Sequence, residues 1–145
     1  MKPACEIPIQ NASSDEIQQI LTRSKTIAMV GLSNHADRDS YRVAGYLQQH
    51  GYTIIPVNPN ASEILGEKAW PSLRDVPGSV DIVDIFRKSE AVPAMVEDAI
   101  AIGARVIWMQ SGIVHNAAAD TARAAGLKVV MSRCLMVEHR QAEQK

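Results

Sequence analysis

Short apolar runs recur along the chain, and the segments between them carry apolar residues at helical spacing. Each run is nearly continuous in Val, Ile, Leu, Ala or Met, as in β-strands that are buried on both faces of a parallel sheet. Five strands are predicted, at 26–30, 52–57, 80–86, 105–109 and 127–131.

Start and stop signals predict the helices that lie between these strands. Ser13 and Glu16 form a capping-box pattern at the start of the first helix, which ends near Ser24. Ser89 is the expected cap of the helix after the third strand, and Gly103 ends that helix. The remaining predictions are helices at about 40–50 and 116–125, a short fraying helix after residue 135, and an irregular segment at 61–79 with one helical turn at 72–75.

Strands that alternate with helices of 10–15 residues are typical of βαβ units and a parallel sheet. With right-handed crossovers, the pattern predicts an α/β, Rossmann-like doubly wound sheet of about five mainly parallel strands with helices on both faces. The chain has no linker, repeat or low-complexity tract. One domain is therefore expected over residues 1–145, with an irregular arm at 1–12.

The composition narrows the possible partners. Lys plus Arg total 15 and Asp plus Glu total 16, so the formal net charge of -1 argues against a dedicated nucleic-acid binder. No apolar stretch approaches the ~20 residues of a membrane-spanning helix, and the first nine residues lack the apolar core of a signal peptide. A cytoplasmic protein without a membrane partner is expected.

The two cysteines, Cys5 and Cys134, lie far apart and have no metal-ligand spacing with histidine. Neither a metal site nor a redox pair is expected. A disulfide between them is not favoured, because nothing in the sequence points to secretion.

In a doubly wound sheet, ligands bind at the carboxyl ends of the strands, beside the point where the strand order reverses. The predicted topology brings four segments to this edge: 31–42, 57–60, 86–89 and 109–113. These segments are the expected walls of a binding site.

The segment after the first strand has the pattern of a phosphate-binding loop. Gly31 is expected to let a phosphate approach the backbone, and the following helix directs its N–H groups and the positive end of its dipole toward that phosphate. Ser33 and Ser40 can add hydroxyl groups, and Arg38 and Arg42 can add positive charge. The alternative is that Gly31 only makes a tight turn and that both arginines are solvated.

The end of the second strand argues against a dinucleotide. Enzymes that bind NAD place an acidic residue there for the ribose hydroxyls, whereas this strand ends in Val57-Asn58-Pro59. The loop also lacks the second glycine of GxGxxG and the GxxxxGK[ST] pattern of a P-loop. An apolar turn of this kind is better suited to lie against an adenine ring.

The walls formed by 86–89 and 109–113 contribute an aromatic ring and a side-chain amide. Phe86 ends the third strand, where it packs either on a ligand or in the core, and Arg87 is a pocket cation or a surface charge. Gln110 is a polar group at the end of the fourth strand. Trp108 is expected in the core.

Taken together, these segments resemble a known family. The similar motifs are Gly31-x-Ser33, Asp39-Ser40-Tyr41-Arg42, Pro56-Val57-Asn58-Pro59, Glu63-Ile64-Leu65-Gly66, Trp108-x-Gln110-x-Gly112 and Arg133-Cys134. The resemblance is to the small stand-alone CoA-binding domain proteins, which are similar to the CoA-binding domain of the succinyl-CoA synthetase alpha subunit and of ADP-forming acyl-CoA synthetases. It covers roughly residues 20–140.

The resemblance implies a Rossmann-like domain that binds coenzyme A at the switch point. Carried over by position, it implies phosphate contacts along Gly31, Leu32, Ser33, Ser40 and Arg42, an adenosine site flanked by Val57, Asn58 and Pro59, and a remaining pocket lined by Phe86, Arg87 and Gln110. The family often has an acid before the Arg-Cys pair, where this chain has Ser132.

The leading hypothesis is a module that binds CoA or an acyl-CoA without catalysis of its own, with an unknown protein partner left open. Cys134 is expected to be a buried structural cysteine, since no histidine or acid has a spacing that implies its activation. The alternatives are an NAD(P)-dependent oxidoreductase-type dinucleotide binder and a protein-interaction module with a vestigial pocket. The polar loop 33–39 is expected to be mobile without ligand.

Overall fold

The computed structural model describes residues 6–144 and shows a parallel five-stranded sheet with a small hairpin beside it. The sheet contains β1, β2, β5, β6 and β7, in the spatial order β2-β1-β5-β6-β7. The strands are β1 Thr26–Val30, β2 Thr53–Val57, β3 Glu63–Ile64, β4 Glu67–Lys68, β5 Ile82–Ile85, β6 Val106–Met109 and β7 Lys128–Val130.

Helices cover both faces of the sheet, as predicted. The apolar residues of α1, α2 and α5 share one core with one face, and those of α3 and α4 share a second core with the other face. Trp108 is fully buried in the first core, where its Nε1 donates to the carbonyl of Arg133 at 2.8 Å. The helices are α1 Ser14–Arg23, α2 Asp39–Gln49, α3 Val92–Ala101, α4 Asn116–Ala124 and α5 Leu135–Glu143.

Three local predictions differ from the structure. Residues 63–68 form the antiparallel hairpin β3–β4, where an irregular segment was predicted. Ser89 begins a 3-10 turn, and α3 starts after it without a side-chain cap. The final helix α5 is docked rather than frayed, because Leu135 and His139 are both buried beneath it.

The N-terminal segment is hydrogen-bonded to the chain just beyond the edge strand β7. β7 is an edge strand, and such strands expose unpaired backbone groups. The side-chain amide of Asn11 donates to the carbonyl of Met131 at 2.8 Å and accepts from its N–H at 2.9 Å. Arg123 also donates to the carbonyl of Gln10 at 2.9 Å. The backbone groups of Met131, directly after this edge strand, are therefore paired by the side chain of Asn11.

One polar side chain lies in the middle of the sheet. Asp84 is in the central strand β5, in register with Met29 and Trp108, and it is fully buried. Its Oδ1 accepts from Gln110 Nε2 at 2.8 Å, and its Oδ2 has no partner among the described residues. Desolvation raises the pKa of Asp84 to about 8, against a smaller lowering by the bond from Gln110. The carboxyl is therefore mainly protonated at neutral pH.

Stability should therefore depend on pH through Asp84. Between about pH 4 and pH 8 the native chain keeps a proton that the unfolded chain releases, so the free energy of unfolding falls as pH rises, by up to about 1.4 kcal/mol per pH unit. Asp84→Asn has no titratable group at this position, so it does not lose this part of the stability as pH rises. In urea unfolding at pH 5, 6, 7 and 8, the free energy of unfolding of the variant should rise steadily relative to that of the native chain. A constant difference between the two chains across this pH range would contradict the burial argument.

Candidate ligand-binding site at the carboxyl edge of the sheet

The strand order leaves a crevice between β1 and β5. From β1 the chain continues into α2 on one face, and from β5 it continues into α3 on the other, so the two connecting loops diverge. Ligands of doubly wound sheets bind at such a switch point. All four predicted walls meet at this edge.

Three neighbouring compartments occupy the edge. A polar cleft of about 860 Å³ lies over loop 33–40, and it is bounded by Asn58 and Phe86. An apolar slot of about 480 Å³ lies between 57–60 and 71–73, with Met95 on its far side. A third compartment, called the bay, has about 550 Å³. Its buried and half-buried lining residues are Val43, Phe86, Gln110, Ile113, Cys134 and Met136, and its exposed ones are Asp39, Arg42, Arg87, Lys88 and Ser111.

The backbone conformation and a close neighbour both require a glycine at position 31. It has φ of +86°, and a Cβ there would lie 2.5 Å from the carbonyl oxygen of Phe86. Its N–H donates to the carbonyl of Val57 at 3.1 Å. Gly31 also lines the cleft and the slot. Its contact with a phosphate stays a prediction, and its N–H, which is already bonded to Val57, is not a free donor for that contact.

Loop 33–39 is bonded to itself and to the start of α2. Ser33 N–H donates to Ser40 Oγ at 3.0 Å, and His35 N–H donates to Ser33 Oγ at 3.0 Å. The first backbone N–H groups of a helix have no partner within the helix, and α2 has no side-chain cap. The first turn of α2 therefore supplies backbone donors to the cleft, together with its positive dipole end.

The two predicted arginines occupy different places. Arg38 is exposed and lines the polar cleft. Arg42 lines the bay instead, where its guanidinium pairs with Asp39 and donates to the carbonyl of Asp37 at 3.1 Å. Only Arg38 therefore lies directly on the cleft, and Arg42 reaches it only by leaving Asp39.

Asn58 joins the first two walls of the site. Its Nδ2 donates to the carbonyl of Leu32 at 2.9 Å, and its Oδ1 accepts from the N–H of Asn60 at 2.7 Å. The Leu32 side chain is fully buried, so this residue can offer a ligand only its backbone. Val57 and Pro59 line the slot.

The other two walls meet at the bay. Phe86 is half-buried and lines both the cleft and the bay, while Arg87 is exposed and lines the slot and the bay. Gln110 lines the bay with only 4% of its surface exposed. The sequence interpretation missed Asp84 beneath Gln110, although an acid flanked on both sides by apolar residues in the middle of the run 80–86 was a visible signal.

Comparisons with known proteins agree with this architecture. A family model described as "CoA binding domain" matches residues 25–140. The chain belongs to the CoA-binding domain family. It is 45% identical over 131 residues to the uncharacterized protein YneT of Bacillus subtilis, a match that covers 90% of this chain and 97% of that protein.

Two further similarities show how widely the domain occurs. The solved structure of a hypothetical protein from Pyrococcus horikoshii is similar with a TM-score of 0.89 and 40% identity, over 99% of each chain. The ADP-forming acetate–CoA ligase II of Archaeoglobus fulgidus is 34% identical over 76 residues, which are 51% of this chain and 11% of the ligase. The same domain thus occurs alone and as a small part of synthetases.

In this member of the CoA-binding domain family, a serine stands before the Arg-Cys pair. Ser132 has φ of +55°, and its Oγ accepts from the N–H of Gly112 at 3.0 Å. The hydroxyl fixes the loop after β6, a bond that a carboxylate at this position could also accept. Cys134 is half-buried and lines the bay, so the prediction of a fully buried cysteine is corrected. Cys5 lies outside the described residues.

Within residues 6–144, no helix is long and apolar enough to cross a membrane. The same part of the chain contains no group of three or more His, Cys, Asp or Glu side chains that could hold a metal ion.

The contact between Gly31 and Phe86 can be tested with two glycine substitutions. Gly31→Ala should lower the free energy of unfolding by about 1–3 kcal/mol from the backbone conformation alone, with a further loss from the contact with Phe86. Gly45→Ala, in the middle of α2 with no atom within 4 Å of the new Cβ, should raise it by up to about 1 kcal/mol. Urea unfolding measures both. Equal effects of the two substitutions would contradict a special role for Gly31.

Proposed function

We propose that this chain binds coenzyme A or an acyl-CoA at the carboxyl edge of the sheet, without catalysis of its own. The observation that carries the proposal is the order of the three compartments. The apolar slot and the polar cleft share three residues, Gly31, Asn58 and Asn60, and the cleft and the bay share two, Asp39 and Phe86, whereas the slot and the bay share only Arg87. CoA has the same order of chemistry: an adenine, a run of phosphates and a long pantetheine arm.

The slot suits the adenosine. Val57, Pro59, Leu73 and Met95 give it apolar walls, and it is open toward the cleft. An adenine between such walls replaces water on both of its faces, which favours binding in proportion to the apolar area covered. No acidic group stands at the end of β2 to hold a ribose diol, and Asp98, which also lines the slot, is paired with Arg74 at 2.5 Å. The slot therefore favours CoA over NAD.

The cleft suits the phosphates through the first turn of α2, the hydroxyls of Ser33 and Ser40, and Arg38. Asp37 and Asp39 also line it, and these carboxylates oppose an anionic ligand. Asp39 is paired with Arg42. This pair is exposed, so its partners can exchange at little cost. A bound phosphate would compete with Asp39 for Arg42.

The proposal includes no reaction, because the described part of the site contains no nucleophile paired with a base. His35 lies in the cleft and Cys134 in the bay, and neither has a hydrogen bond to an activating side chain. A protein partner that responds to the bound ligand and a cytoplasmic location stay predictions from the sequence.

Calorimetric titration of the purified chain with CoA, NAD and ATP tests the ligand class directly. We expect CoA to bind more tightly than the other two nucleotides. Tighter binding of NAD would overturn the proposal, and no binding of any of the three would favour the interaction module with a vestigial pocket.

Arg38 can be tested separately from the general charge of the protein. Arg38→Ala should weaken CoA binding by about 1–3 kcal/mol, the size of a charge-assisted hydrogen bond to a phosphate. Arg105→Ala removes the same charge at the opposite, amino edge of the sheet and should leave the affinity unchanged. Titration at one fixed salt concentration compares them. Equal losses would mean that Arg38 acts only through the net charge.

A further inference from the structure

We propose that Asp84 is a positioning residue that turns Gln110 so that its side-chain carbonyl accepts a hydrogen bond from an amide N–H of the pantetheine arm. This inference rests on the proposed function and assigns the bay to that arm. The bay then recognises the pantetheine end of the ligand and not its nucleotide end.

The position of Asp84 is costly for the fold. The side chain lies in the centre of the sheet between Met29 and Trp108, with no exposed surface and with one oxygen unpartnered among the described residues. A buried polar group without its hydrogen bonds destabilises a fold, and an apolar side chain of similar volume would avoid that cost. The role of Asp84 therefore lies in the one hydrogen bond that its side chain makes.

That contact is with Gln110, the first residue after β6. Asp84 Oδ1 accepts from Gln110 Nε2 at 2.8 Å, so the amino group of this amide points down into the sheet. The carbonyl oxygen of the same planar amide then points away from Asp84. In residues 6–144 no donor is bonded to that oxygen, and the Gln110 side chain lines the bay. With the proton of its carboxyl on Oδ2, Oδ1 of Asp84 remains the acceptor and holds the amino end of the amide, so the carbonyl end is left facing the bay.

The surroundings of this carbonyl decide what it can recognise. Val43, Phe86, Ile113 and Met136 line the same bay, and all four are apolar side chains. Asp39, Arg42, Arg87, Lys88 and Ser111 also line the bay, but these side chains are exposed, whereas Gln110 is buried. A buried acceptor beside apolar side chains favours a ligand that is largely apolar there and carries a matching donor, because either unpaired group would be costly to bury. The pantetheine arm is such a ligand, since it alternates short aliphatic links with two amide N–H groups. Its terminal thiol is a much weaker donor.

The test compares two ligands that share the nucleotide end. CoA carries the pantetheine arm, and adenosine 3′,5′-bisphosphate lacks it. Gln110→Met keeps the length of the side chain but removes the carbonyl, and it should weaken CoA binding about 3- to 10-fold, the loss of one hydrogen bond. The affinity for the bisphosphate should not change. Gln48→Met is the matched control, since the amide of Gln48 donates to the carbonyl of Leu65, away from the bay.

Variants of Asp84 separate positioning from a merely structural role. Asp84→Asn keeps an oxygen that can accept from Gln110 and should bind CoA like the native chain. Asp84→Leu removes that acceptor and should weaken CoA binding as much as Gln110→Met does. The double variant Asp84→Leu, Gln110→Met should be no weaker than either single variant, because both act through one hydrogen bond.

The outcomes are distinct. Unchanged CoA affinity in Gln110→Met, or an equal loss for CoA and the bisphosphate, overturns the assignment of the bay. Additive losses in the double variant overturn the positioning role of Asp84. If Asp84→Leu does not fold, as judged by circular dichroism, Asp84→Val, a smaller side chain that suits a strand, removes the same acceptor and takes its place. Failure of the native chain to bind either ligand would instead overturn the proposed function.

Discussion

The contact between the loops after β1 and β5 fixes the geometry of the whole carboxyl edge. Gly31 turns the chain at positive φ directly against the carbonyl of Phe86, and the N–H of Phe86 donates to the carbonyl of Val30 at 2.9 Å. The same turn is tied to β2 through the N–H of Gly31 and the carbonyl of Val57. Three strands thus end in one bonded unit, and the slot, cleft and bay open around it.

Two side-chain amides extend this unit in opposite directions. Asn58 links the end of β2 to Leu32 in the first loop, and Gln110 links the end of β6 to Asp84 in β5. Each uses its amino group within the protein. The carbonyl of Asn58 is also used, by the N–H of Asn60, whereas that of Gln110 faces the bay. Similar residues at similar strand ends therefore differ in their bonding: the carbonyl of Asn58 closes a loop, whereas that of Gln110 has no donor among the described residues.

The sequence predicted what depends on local pattern. The five strands follow from continuous apolar runs, and the first helix follows from the Ser13–Glu16 capping box, in which both reciprocal bonds are present. The hairpin at 63–68 was missed because its two strands have only two residues each, too short for any alternation to be visible. The residues at the carboxyl edge could be predicted because a parallel sheet brings its strand ends together. The hydrogen bond of the Gly31 N–H and the ion pair of Arg42 could not be predicted, because they depend on neighbours that only folding brings close.

The position of α5 shows how far the site depends on packing outside it. Cys134 and Met136, at the start of this helix, form a wall of the bay, while its other end is held against α2. There His139 is buried, and its Nδ1 lies 2.8 Å from the hydroxyl of Tyr46. Desolvation lowers the pKa of His139 against the opposing effect of Glu143, so the ring is neutral at neutral pH and can remain buried. The first turn of α2 also carries donors of the polar cleft. The same helix therefore contributes to the cleft directly and supports the wall of the bay through its contact with α5.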